Sequence, residues 1–173
     1  MTESNAGPGG ATLEIRRHES DIHALGMAVN LLRFAEPFSG YAFGPFTGNL
    51  MGQIKRKHYF FTVSGKQVLG YAGWALCAPE VAEDWLAERR TPRFEDCIDG
   101  SVFVGLTWFS ARPEVSFFQA RRLRQLFPGQ RGLWRRDYGQ RRRRAEVRNI
   151  LGAGLLGPSD EIPLALASPG GSD

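Results

Sequence analysis

The segment from Ser101 to Phe109 (Ser-Val-Phe-Val-Gly-Leu-Thr-Trp-Phe) is apolar almost without interruption. A strand exposed on one face alternates apolar and polar residues, whereas a strand covered on both faces does not. The run therefore predicts a central strand in a sheet with helices or loops packed on both sides. Gly105, in its middle, marks a bulge or a point where another group comes close. The rest of the chain must supply the neighbouring strands and the covering layers.

Those flanks are visible. From Ser20, a residue suited to an N-cap, apolar side chains recur at Ile22, Leu25, Val29 and Leu32, which is helical spacing, and Pro37 is expected to close that helix. Phe38 to Gly48 reads as a loop dense in Gly and aromatic residues, either tightly packed or functional. His58 to Val63 and Gln67 to Trp74 read as two strands joined at Ser64-Gly65-Lys66. Pro79 opens a short helix with Val81, Trp85 and Leu86 on one face. Pro113 opens another, with Val115, Phe118, Leu123 and Leu126 inward, ended by Pro128-Gly129. A last strand is expected at Leu133 to Tyr138. This order predicts an α/β (α+β) fold, a mixed sheet flanked by helices.

With 173 residues, 42% of them hydrophobic, the chain is long enough for one core and short for two, so a single domain over residues 13–150 is expected. Residues 1–12 and 151–173, interrupted by Gly and Pro, read as flexible tails. No basic-then-apolar leader and no stretch of 18 apolar residues is present, and Cys77 and Cys97 make neither a disulfide framework nor a zinc site. A cytoplasmic protein without a transmembrane segment is the expectation.

The order of several short motifs resembles the lysine acyltransferases that activate RTX toxins. They are the run from Leu25-Gly26 to Pro37-Phe38, the hairpin ending Gly70-Tyr71-Ala72-Gly73-Trp74-Ala75, Asp99 followed by Val102-Phe103-Val104-Gly105, and Leu126-Phe127-Pro128-Gly129. The resemblance spans roughly residues 25 to 135. It implies a GNAT-like fold and transfer of a fatty acyl group from acyl carrier protein to internal lysines of an RTX protoxin. It also implies no metal, no tightly bound cofactor and a homodimer.

Two departures from that family bear on catalysis. The family keeps a histidine just after the Pro-hydrophobic pair, where this chain has Ser39, and an aspartate inside the central strand, where it has Gly105. A lysine ammonium must lose a proton before it attacks a thioester; imidazole near neutral pKa takes it, and a carboxylate orients the imidazole. Serine is no base at neutral pH and glycine has no side chain, so no catalytic pair is intact by this alignment. His58 and Asp99 are the substitutes on offer, each with an ordinary reading as a packed histidine or a turn residue. Cys97 or Ser39 would serve as a nucleophile only with a lowered pKa or a neighbouring base.

The net charge of +4 is unevenly spread, since half of the 22 Lys and Arg lie between Arg121 and Arg148. Arg121, Arg122, Arg124, Arg135, Arg136, Arg141, Arg142, Arg143 and Arg144, interleaved with Trp134, form a candidate binding segment. An acidic partner such as acyl carrier protein, with its phosphopantetheine phosphate, suits this chemistry best, and nucleic acid is the weaker alternative. Two functions thus stay open: an acyltransferase with rearranged catalytic residues, or an inactive homologue acting as a binding and assembly module.

Overall fold

A computed structural model of the chain describes residues 12–138, 141–143 and 147–149. In chain order the first elements are β1 (Leu13–Arg16), α1 (Asp21–Leu32), α2 (Phe43–Lys55), β2 (Tyr59–Ser64) and β3 (Gln67–Cys77). They are followed by α3 (Pro79–Leu86), β4 (Val102–Ser110), α4 (Pro113–Leu126) and β5 (Arg131–Trp134). Three short strands end the series, β6 (Arg136–Tyr138), β7 (Arg141–Arg143) and β8 (Val147–Asn149). The main sheet has the order β1-β2-β3-β4-β5-β8, and β6 and β7 pair separately. All its neighbours are antiparallel except β4 and β5, which run parallel because α4 carries the chain back across the sheet. The mixed α/β architecture expected from the sequence is thus present, and it accords with a GNAT-like arrangement.

Strand parity divides the core. Ala24, Ala28 and Leu32 of α1, with Leu50 and Ile54 of α2, pack on Tyr59, Phe61 and Tyr71. The intervening residues Phe60, Ala72 and Trp74, with Phe103, point to the other face, where Leu123 of α4 meets them. Val81 and Ala82 of α3 pack on Ala75, Val102, Val104 and Leu133. Each fully buried large side chain contributes about 1.5–3 kcal/mol, so this two-sided burial holds the sheet between its helices. β4 lies buried from Val102 to Val104, as its apolar run requires.

Three expectations need correction. The segment 38–48 is not all loop, because Phe43 to Gly48 form the first half of α2. Pro45 sits in the first helical turn, where its missing N–H forfeits no bond, and burial of Leu50 and Ile54 offsets the cost of Gly44 and Gly48. The first helix ends at Leu32, and a turn intervenes before Pro37. The strand expected at 133–138 is two strands with different partners, β5 beside β4 and β6 beside β7. Between them Arg135 directs its guanidinium to the Trp85 carbonyl at 3.0 Å and to Glu88 at 2.9 Å, where the chain leaves the main sheet.

The two tails fall outside the described residues, except for Thr12. Among the described residues no helix is long and apolar enough to cross a membrane.

Candidate functional site

β3 and β4 lose register between Gly73 and Trp74, where Leu106 is the extra residue on β4. β5 accompanies β4 only as far as the pair Gly105–Trp134. Beyond that point no strand among the described residues pairs with β4 on its β5 side, and Leu106 and Thr107 face a cleft of about 330 Å³. The short 3-10 turn Phe38–Gly40 and the start of α2 form the opposite wall. Phe38, Tyr41 and Phe46 pack there as a triangle of rings, Phe38 stacked on Phe46 at 5.6 Å and Tyr41 edge-on to each at 5.8 and 5.5 Å. Asn49 adds a polar group to this mainly apolar lining. The density of aromatics in 38–48 was the sequence signal for this cleft, although the helix in its wall was missed.

Neither position that the family resemblance singled out lines the cleft, although each is next in sequence to a residue that does. Ser39, between Phe38 and Gly40 of the wall, is exposed and donates its hydroxyl to Glu36 Oε1 at 2.8 Å. It has a carboxylate acceptor and no imidazole. Gly105 precedes Leu106, and the indole of Trp134 covers it: a Cβ there would lie 2.2 Å from Trp134 Cδ1 and 2.3 Å from Nε1. Trp134 also tilts against Phe103 at 5.4 Å. The space a carboxylate would occupy on this strand therefore holds a ring.

The substitutes lie elsewhere. His58 bridges α2 and β2, its N–H bonded to the Gln53 carbonyl and its own carbonyl accepting from Trp74, each at 2.9 Å. Its ring stacks on Trp74 at 6.0 Å, and Nδ1 is enclosed without a hydrogen-bond partner. Burial, and then the charges of Arg56 and Arg17, hold its pKa down to about 4. The ring is neutral at pH 7 but a weak base, and it does not line the cleft. Asp99 is exposed in the bend before β4 and also lies off the cleft.

Cys97 ends a second 3-10 turn, Glu95–Cys97, and is buried beside Cys77. The hydrogen bond between the two thiols pushes Cys77 up and Cys97 down, and the Arg56 charge lowers Cys97 further against the opposing effect of burial. Sequence reasoning had no signal for this pairing, which depends on the turn folding back onto the end of β3.

The basic segment is divided by the fold. Arg131 of β5 pairs with Glu83 of α3, and Arg135, just past β5, pairs with Glu88 at 2.9 Å while lying over the Trp85 ring of α3. Arg122 lies over Phe118 and donates to Gln125 at 2.8 Å, whereas Arg121 and Arg124 are exposed on α4. Arg136 belongs to β6 and Arg141, Arg142 and Arg143 to β7, while Arg144 lies outside the described residues. Trp134 is half-buried on Gly105 rather than presented as an open stacking platform. No group of three metal-ligating side chains is assembled among the described residues. No protein-family model matches the chain, and no curated protein matches it either.

Proposed function

We propose that this chain is a cytoplasmic acyltransferase-type scaffold that binds the acyl group of an acidic, acyl-carrier-type protein in its aromatic cleft without transferring it. The observation that carries this reading is the Trp134 indole seated on Gly105, which fills the place of any side chain at the position the resemblance gives to a carboxylate, on the α4 side of the sheet. Ser39, at the opposite wall of the cleft, has no imidazole beside it and hydrogen-bonds the exposed Glu36 carboxylate. The cleft supplies apolar surface of the kind an acyl chain fills, at the lower end of the size range of about 300–1,000 Å³ usual for ligand pockets. Exposed Arg121 and Arg124 on α4 supply charge complementary to an acidic carrier.

The test is incubation with acyl-loaded carrier protein, an RTX-type acceptor and, separately, no acceptor, read by intact mass. Stable binding of the acylated carrier over the unacylated one, with no mass added to either protein, is the expected result. Acylation of the acceptor or of the chain itself, abolished by His58→Ala or Asp99→Ala, would instead establish an enzyme with a rearranged site. Saturable retention on single-stranded nucleic acid that falls steeply with salt would favour the nucleic-acid alternative.

A further inference from the structure

A second cavity, of about 200 Å³, lies on the other side of Asn49 and Leu106 from the aromatic cleft. Gly48 and Gly52, one helical turn apart on α2, form its floor, and the segment from Thr91 to Cys97 forms its rim. Arg56, the C-cap of α2 and the next position of that row, projects into the wall. A side chain at position 52 would press on this guanidinium, since a Cβ there would lie 3.3 Å from Nη1.

Arg56 has no carboxylate partner among the described residues, and neither does Arg93 on the same rim, whereas Arg90, Arg131 and Arg135 each pair with one. Its Nε is enclosed with no hydrogen-bond partner, and its guanidinium lies over the Phe94 ring at 4.9 Å. The carboxylate in the vicinity, Asp96, is already held by Arg90 and by the Arg93 N–H at 2.9 Å. A half-buried guanidinium with an unused donor, opening on a cavity, is short of a counter-charge. Arg93 brings a second positive charge to the same rim.

We propose that this cavity is a binding site for a small organic anion, its charged head on Arg56 and its apolar body against Trp85, Pro92 and Leu106. At about 200 Å³ it is below the usual range for drug-sized ligands, which limits the body to a single ring or a short chain. Cys97 stands in the wall, so an occupant would cover its thiol. The burial that lowers the Arg56 pKa acts in the same direction as the geometry, because an anion would restore the lost solvation. This site does not depend on the acyl-cleft reading and can fail or stand without it.

The test titrates the whole protein with phenylacetate, phenyl phosphate and the neutral phenylacetamide, read from amide shifts in a proton–nitrogen NMR spectrum. Saturable shifts centred on Gly52, Arg56 and Cys97 are expected with at least one anion, with affinity about tenfold above that of phenylacetamide, the difference one charge-assisted contact supplies. The anion that saturates first assigns the head group as carboxylate or phosphate. Arg56→Gln is expected to abolish the preference and Arg56→Lys to keep part of it. The proposal is overturned if neither anion saturates, if phenylacetamide binds equally well, or if a folded Arg56→Gln protein binds as the wild type does. Should Arg56→Gln not fold, the comparison of anion with amide on the wild type decides.

Discussion

Gly105 shows how one residue can set the character of a site. Its missing side chain lets β4 approach Trp134, and the indole then covers the strand on the face that packs against α4. Gly105→Ala would place a methyl 2.2 Å from Trp134 Cδ1, so the ring or the strand must shift. Overpacking of this kind costs about 1–3 kcal/mol. Urea unfolding should show a lower midpoint at an unchanged slope, together with altered tryptophan emission. Pairing Gly105→Ala with Trp134→Leu should cost less than the sum of the two single changes, because the smaller side chain releases the clash. Strict additivity with unaltered emission would show that the indole does not occupy this space. By the same geometry Gly105→Asp alone would not install a working carboxylate, since the ring stands where it would go.

At the scale of elements, α2 is the piece that joins the two cavities to the sheet. Its anchor is Gln53, fully buried, which donates from Nε2 to Thr107 Oγ1 at 3.0 Å and accepts at Oε1 from the Tyr71 hydroxyl at 3.1 Å. Gly73 makes the room, since a Cβ there would fall 1.7 Å from Gln53 Oε1. Gln53→Leu keeps the bulk but leaves two buried hydroxyls without that partner, a loss on the order of 3 kcal/mol. Adding Tyr71→Phe to it should recover part of that loss, because an absent donor needs no acceptor. Chemical denaturation of the two variants checks both statements.

The same helix shows where the sequence was legible. β2, β3, β4, α3 and α4 could be read because their apolar periodicity, or a proline at the first helical position, agrees with the tertiary structure. α2 could not, because its Gly44, Pro45, Gly48 and Gly52 read as a loop by propensity, and its central contact is a glutamine that an apolar pattern does not count. The aromatic cleft was half legible, in the Phe and Tyr of 38–46. Arg56 was not, because its enclosure depends on Phe94, which is 38 residues away in sequence and reaches it only through the packing of the loop before β4.

For the whole molecule, the most telling charge is one the fold keeps out. His58 lies where α2, β2 and β3 meet, stacked on Trp74, with Arg56 and Arg17 close enough to oppose its protonation. Its folded pKa of about 4 lies below the ordinary 6.5, so the unfolded chain binds the proton first as pH falls. Stability is therefore unaffected by His58 above the unfolded value, declines as pH drops through 6.5, and levels off only near 4, where the folded ring is protonated as well. Asp96 acts in a different window. The Arg93 N–H holds its carboxyl below the usual 3.8, so its contribution persists until pH falls below that value. Between pH 7 and 5 the melting temperature should consequently fall, and His58→Gln should flatten that fall even if the loss of stacking on Trp74 lowers the melting temperature at pH 7. An equally steep decline in His58→Gln would place the acid sensitivity elsewhere and would show that the ring between α2 and the sheet is free to take up a proton. That outcome would also reopen His58 as a general base, since a histidine that titrates near 6.5 in the folded protein is suited to deprotonate a lysine. The pH profile of stability thus bears on the reading of this fold as a binding scaffold without requiring that a substrate be known.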